Sequence, residues 1–103
     1  MDRESKRAVR VIGQKYGVDI LEALSSPKSI EDIVDGTDVP IASCYRTIHL
    51  LEGVGLVRVK EVRTRNVSRP TKIYERVRDS FTIRPNKDGK YVLDTSFDGG
   101  PVD

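Results

Sequence analysis

A chain of 103 residues provides one domain with a modest core, and without any long apolar run it has no membrane-spanning helix. Its 37% hydrophobic and 33% charged residues, with a net charge of only +2, are typical of a soluble globular protein. One cysteine and one histidine exclude an internal disulfide and a Cys/His metal cage within the chain. The sequence also has no nucleophile–base pair and no glycine-rich phosphate loop, so we expect neither an enzyme nor a cofactor.

Two helices are predicted at the start of the chain. In the first, Asp2 to Tyr16, apolar residues recur at spacings of three and four, and Gly17 is expected to end it. The second runs from about Val18 to Ser25 and stops before Pro27. The other face of the first helix is basic, with Arg3, Lys6, Arg7 and Arg10. Because this charged segment lacks the apolar region of a signal peptide, we predict a cytoplasmic protein.

A helix-turn-helix pair follows. Ser29 has the position of an N-cap for a short helix from Ile30 to Val34, and Gly36-Thr37-Asp38 predicts a tight break. The next helix, over residues 40–53, opens with proline, whose missing N–H costs nothing in a first turn. Spacings of three and four predict one apolar face on this helix, formed by Ile41, Cys44, Ile48 and Leu51.

The opposite face of the 40–53 helix is the candidate recognition surface. Arginine pairs bidentately with guanine, and Ser, His and Tyr side chains reach phosphates or base edges. We therefore predict DNA contacts from Ala42, Ser43, Tyr45, Arg46 and His49. Two of these assignments have plainer alternatives, because an exposed Arg or His on a helix is often only solvated. Cys44 is interpreted as a core residue rather than a redox switch.

From Leu56 the apolar period changes from helical to alternating, which predicts a β-hairpin with a loop over residues 66–71. Residues 58–78 hold eight Lys and Arg residues against only Glu61 and Glu75, a net charge of +6 in a chain whose total is +2. Such a local excess repels itself unless an anion binds, so we predict a basic wing that contacts phosphates. Its candidate DNA-binding residues are Arg63, Arg65, Arg69 and Lys72.

A second hairpin is predicted from Phe81-Thr82-Ile83 and Tyr91-Val92-Leu93, with Asp88-Gly89 in the turn. The apolar residues of this hairpin and of the first helix either enlarge the core or form a dimer seam, and the sequence leaves both interpretations open. We divide the chain into a DNA-binding domain, residues 1–78, and a C-terminal hairpin with a loose tail, residues 79–103.

The order of elements predicts an α+β winged helix-turn-helix: a three-helix core and a basic hairpin wing, with an extra N-terminal helix and a C-terminal hairpin. In this geometry one helix lies in the major groove while the wing contacts the backbone. The leading hypothesis is a DNA-binding transcriptional regulator. A winged-helix module for protein contact in a transcription or chromosome-associated complex is the alternative, and RNA binding is a lesser one.

The central part of the chain also resembles a known family, the ArsR-like winged helix-turn-helix regulators of archaea. The resemblance covers about residues 9–78 and is carried by Val39-Pro40, Tyr45-Arg46, Leu51-Glu52, Gly55-Leu56-Val57 and Thr71-Lys72-Ile73-Tyr74. It implies a homodimer on a pseudo-palindromic operator, with the terminal segments at the dimer interface. Metal-sensing members use paired cysteines or acid/histidine clusters, which this chain lacks, so we do not expect arsenic or zinc sensing.

Overall fold

The computed structural model describes residues 1–64, 69–77 and 80–96. Four helices precede two antiparallel hairpins, so the predicted α+β class is confirmed. The elements are α1 (Arg3–Ile12), α2 (Gly17–Ala23), α3 (Ile30–Gly36), α4 (Ile41–Gly53), β1 (Val57–Arg63), β2 (Thr71–Arg76), β3 (Ser80–Pro85) and β4 (Tyr91–Ser96). In the part of the chain described, no helix combines the length and apolar character needed to cross a membrane.

The first helix is shorter than predicted. Asp2 caps it by accepting a hydrogen bond from the Ser5 N–H at 2.6 Å, and this bond is the main cause that lowers the pKa of the Asp2 carboxyl. The helix ends at Ile12 with Gly13 as its C-cap. Gly17 was expected to end α1, but it is the first residue of α2. Only glycine fits at this position, because a Cβ atom there would clash with the carbonyl groups of Val11 and Ile12.

The turn between α3 and α4 is held by one threonine. The Ser29 hydroxyl caps α3 by accepting from the Asp32 N–H at 3.1 Å, as predicted. At the other end of α3, the Thr37 hydroxyl donates to the Ile33 carbonyl at 2.7 Å and accepts from the Val39 N–H at 3.2 Å. Because Val39 is itself buried, this turn fixes where α4 begins relative to α3.

The core is built from the inner faces of the four helices, the base of β1, and Ile73 and Tyr74 of β2. The most completely buried side chains include Ile20, Ile33, Ile48, Leu51 and Val57. The predicted apolar face of α4 is wrong at one position. Ile41 is 52% exposed, because it starts the helix beyond the edge of the core, and Thr47 is buried instead.

The first hairpin is bent by a β-bulge. Val59 pairs with Tyr74 and Glu61 pairs with Ile73, so Lys60 is the extra residue without a cross-strand partner. Val57 is buried and Val59 is half-buried, whereas Val62, beyond the bulge, is exposed.

The backbone just before α3 extends this hairpin by one bridge, which the sequence reading did not anticipate. The Lys28 N–H donates to the Tyr74 carbonyl at 3.0 Å, and the Tyr74 N–H donates back to the Lys28 carbonyl at 2.8 Å. The Lys28 ammonium also donates to the Ala23 carbonyl at 2.6 Å, at the carboxyl end of α2. Lys28 thus ties the wing to the helical core.

The second hairpin also forms as predicted, with Ile83 opposite Leu93 and Pro85 opposite Tyr91. Gly89 adopts φ +77° in the turn, and the Asn86 side chain accepts hydrogen bonds from the Asp88 and Lys90 N–H groups, both at 3.0 Å. Leu93 is packed against the core, whereas Ile83 and Tyr91 remain more than half exposed.

Candidate nucleic-acid interface

The outer face of α4 carries the side chains predicted to read DNA. Ala42, Tyr45, Arg46 and His49 are exposed and Ser43 is half-buried. This follows from the opposite face, where four residues at spacings of three, one and three are buried: Cys44, Thr47, Ile48 and Leu51. The core therefore fixes the rotation of α4 about its axis and turns the predicted set away from the protein.

The wing meets this face of α4 in one cleft. Tyr45 and His49 of α4 line it together with Thr71 and Lys72 of β2, while Ile30 and Glu31 contribute from α3. The structure thus brings three predicted residues, Tyr45, His49 and Lys72, onto one surface. A second groove joins Tyr45 to Arg63 and Arg69 of the wing. Both the helix and the wing are accessible to a ligand that lies across the cleft.

Several cations of the basic stretch are paired within the protein. Arg58 forms an ion pair with Glu75 across the hairpin at 2.7 Å, and Arg63 forms one with Glu61 at 3.0 Å. Arg76 donates to the Leu21 carbonyl at 3.3 Å, near the carboxyl end of α2. The predicted phosphate contact of Arg63 therefore competes with Glu61, although an exposed pair of this kind is worth at most about 1 kcal/mol.

Three cations of the wing are exposed and have no ion pair among the described residues: Lys60, Arg69 and Lys72. Arg69 and Lys72 belong to the predicted set, whereas Lys60 was not singled out. Nothing in the sequence indicates the bulge that leaves Lys60 without a cross-strand partner. Arg65, the remaining predicted wing residue, lies outside the described residues.

The α3 side of these two grooves is acidic. Glu31 and Asp32, in the first turn of α3, face the groove that Arg63 and Arg69 line from the wing. These exposed carboxylates repel phosphate, so an anionic backbone is favoured on the wing side, beside Arg69 and Lys72, rather than beside α3. Tyr45 and His49, on α4 between the two sides, offer hydrogen bonds to bases and to phosphates.

Cys44 is fully buried on the inner face of α4, as predicted for a core residue. Burial, and to a lesser extent the nearby Glu31 carboxylate, raises the pKa of its thiol. The thiol is therefore neutral at physiological pH, and a neutral, buried thiol reacts slowly with oxidants. This environment favours packing over a redox role.

One residue of the α4 surface is predicted from the sequence to lie in the core but is exposed. Ile41 lies one helical turn before Tyr45 and is about half exposed at the start of α4. An apolar side chain at this position suits a thymine methyl group in the major groove. The apolar pattern of α4 gave no signal for this exposure, because Ile41 continues the spacing of the buried face.

Comparison with known proteins agrees with this architecture. Residues 15–60 match a family model described as a helix-turn-helix domain, which spans α2, α3, α4 and the start of β1. No curated protein shows a significant match to the chain. The matched helices, the hairpin that follows them and the two added terminal elements together make this chain a winged helix-turn-helix fold.

Proposed function

We propose that this protein is a transcriptional regulator that binds double-stranded DNA, with α4 in the major groove and the wing on the phosphate backbone. One observation carries the proposal: Tyr45 and His49 of α4 share a cleft with Thr71 and Lys72 of the wing. Duplex DNA offers two kinds of contact: base edges, which a helix in the major groove reaches, and backbone phosphates, which cations beside that helix bind. The helix-turn-helix match over residues 15–60 supports the same function.

The side chains divide between the two kinds of contact. Arg46 is the candidate for a bidentate bond to guanine, with Tyr45, His49, Ala42 and Ser43 beside it. On the wing, Arg69 and Lys72 bind phosphate without displacing a partner. Arg63 exchanges Glu61 for phosphate, and Arg65 is proposed on charge alone.

We further propose an ArsR-like regulator of the archaeal type that acts in the cytoplasm as a homodimer. Residues 1–78 form its DNA-binding domain and residues 79–103 its extension. The second hairpin is a better candidate for the dimer interface than α1. Ile83 and Tyr91 of the hairpin are exposed, whereas Ala8 and Val11 of α1 are buried in the core of the protomer. A two-fold dimer presents two copies of α4 to the two halves of a palindromic site.

The salt dependence of duplex binding tests this function. For six or more phosphate contacts per dimer, we expect the affinity for DNA to fall by about three orders of magnitude between roughly 50 and 200 mM salt. Selection from a random DNA pool, followed by a mass measurement of the complex, gives the operator, its symmetry and the subunit count. An absence of duplex binding at low salt contradicts the proposal, and stronger binding to structured RNA assigns the fold to RNA instead.

Arg46→Ala tests the orientation of α4. We expect the variant to lose about 1–3 kcal/mol of discrimination between the selected operator and random DNA, because a base contact is removed while phosphate contacts remain. Competition titrations with the two DNAs measure this difference. Arg69→Ala is the matched control, since loss of a phosphate contact weakens both complexes alike. Unchanged selectivity of Arg46→Ala excludes Arg46 from base recognition.

A module for protein contact remains the second candidate, and the second hairpin favours it. The half-exposed Ile83 and Tyr91 form an apolar surface beyond the helix-turn-helix. Such a surface suits a protein better than a phosphate backbone. This function predicts weak, non-selective association with DNA in the titration above.

A further inference from the structure

The polar face of α1 is a single stripe of cations. Arg3, Lys6, Arg7 and Arg10 recur at spacings of three, one and three, and all four side chains are exposed. Ala8 and Val11, on the other side of the helix, are buried in the core. We call these four residues the α1 stripe.

The α1 stripe is not neutralised by ion pairs in the part of the chain that the structure describes. Of the two acids next to Arg3, Asp2 caps the helix, and Glu4 is exposed and forms no ion pair with a cation of the stripe. Like charges four residues apart, as in Arg3 with Arg7 and Lys6 with Arg10, destabilise a helix. Lys90 of the second hairpin adds a cation beside Lys6. An external anion relieves this repulsion.

α1 is packed beside the carboxyl end of the recognition helix. Glu4, Ser5 and Ala8 of α1 line a groove with Val54 and Leu56, directly after the last residue of α4. With 13 residues, α4 is about 20 Å long, whereas the major groove is about 12 Å wide. The carboxyl end of a helix in the groove therefore projects over the backbone, and α1 is packed at that end.

We infer that the α1 stripe is a second DNA contact, which binds the phosphate backbone that flanks the site read by α4. The inference rests on the proposed function and extends its footprint. A second copy of the chain is a poorer occupant, because in a two-fold interface the α1 stripe meets itself and repels. Glu4 lines the groove beside α4 together with Ser5 and Ala8, so it does not interrupt the stripe.

The test compares two duplexes, one of about 10 base pairs, which is one helical turn, and one of about 30 base pairs. The variant replaces the whole stripe: Arg3→Gln, Lys6→Gln, Arg7→Gln and Arg10→Gln. On the long duplex we expect about ten-fold weaker binding at 0.1 M salt and a salt slope reduced by about 2, since roughly two of four neighbouring cations reach phosphates at once. On the short duplex we expect wild-type affinity.

A charge-preserving control, with Arg3→Lys, Arg7→Lys and Arg10→Lys, is expected to bind the long duplex like the wild type. Thermal melts by circular dichroism establish that both variants fold, and glutamine is a good helix former. Equal binding of wild type and glutamine variant to the long duplex overturns the inference. An equal loss of affinity on both duplexes also overturns it, because the stripe then acts only through non-specific electrostatic attraction to DNA. If the wild type binds neither duplex, the proposed function itself fails.

Discussion

Replacing Gly17 by alanine is expected to lower the free energy of unfolding by about 3 kcal/mol, the upper range for overpacking a core. A Cβ atom at residue 17 lies 2.6 Å from the Val11 carbonyl oxygen, and closer still to that of Ile12. Both atoms belong to the backbone, so no side-chain rotation relieves the clash. The junction between α1 and α2 must open, which disturbs the core to which Val11 and Ile20 both belong.

Gly53→Ala is the matched control for this prediction. Gly53 is the last residue of α4, and nothing lies within 4 Å of a Cβ atom added there. Alanine is a better helix former than glycine, so we expect a change of less than about 1 kcal/mol, toward greater stability. Urea titrations followed by circular dichroism measure both variants. Coincident curves for Gly17→Ala and the wild type contradict the close approach of α1 and α2.

The order of elements could be predicted because each boundary has a local chemical signal. Ser29 supplies a cap, Pro40 opens a helix and Gly89 permits a turn, and each interaction involves residues close in sequence. Gly17 shows the limit of such reasoning. Glycine after a helical pattern suggests a C-terminal stop, whereas here it is required by contact with carbonyl groups across a junction. Close approach of this kind leaves no periodic signal.

Only part of the candidate site could be predicted from local sequence signals. The rotation of α4 follows from its apolar spacing, so Arg46 and His49 were correctly expected to be exposed. Ile41 fits that spacing yet overhangs the core, because exposure at a helix start depends on where the neighbouring elements end. The ion pairs of Arg58 and Arg63 depend on cross-strand register and rotamers, which a count of charges does not contain.

Removing the wing cations that form no ion pair is expected to cause a large loss of DNA affinity. If phosphate binds the cations that lack partners, the variant with Lys60→Gln, Arg69→Gln and Lys72→Gln should bind duplex DNA on the order of 100-fold more weakly at 0.1 M salt. Each lost phosphate contact also removes about 0.9 from the slope of log affinity against log salt, so the slope should shrink by roughly 2 to 3. Fluorescence anisotropy on operator and random duplexes measures both quantities.

The matched control keeps the net charge of the wing constant. Arg58→Gln with Glu75→Gln removes an ion pair from the same hairpin, and we expect its DNA affinity to stay within about two-fold of the wild type, because exposed pairs contribute little. If this control loses as much affinity as the triple variant, DNA binding depends on the shape of the wing and not on its free cations. An unchanged triple variant means that Lys60, Arg69 and Lys72 do not touch the backbone, and any phosphate contact of the wing then comes from Arg63 and Arg65.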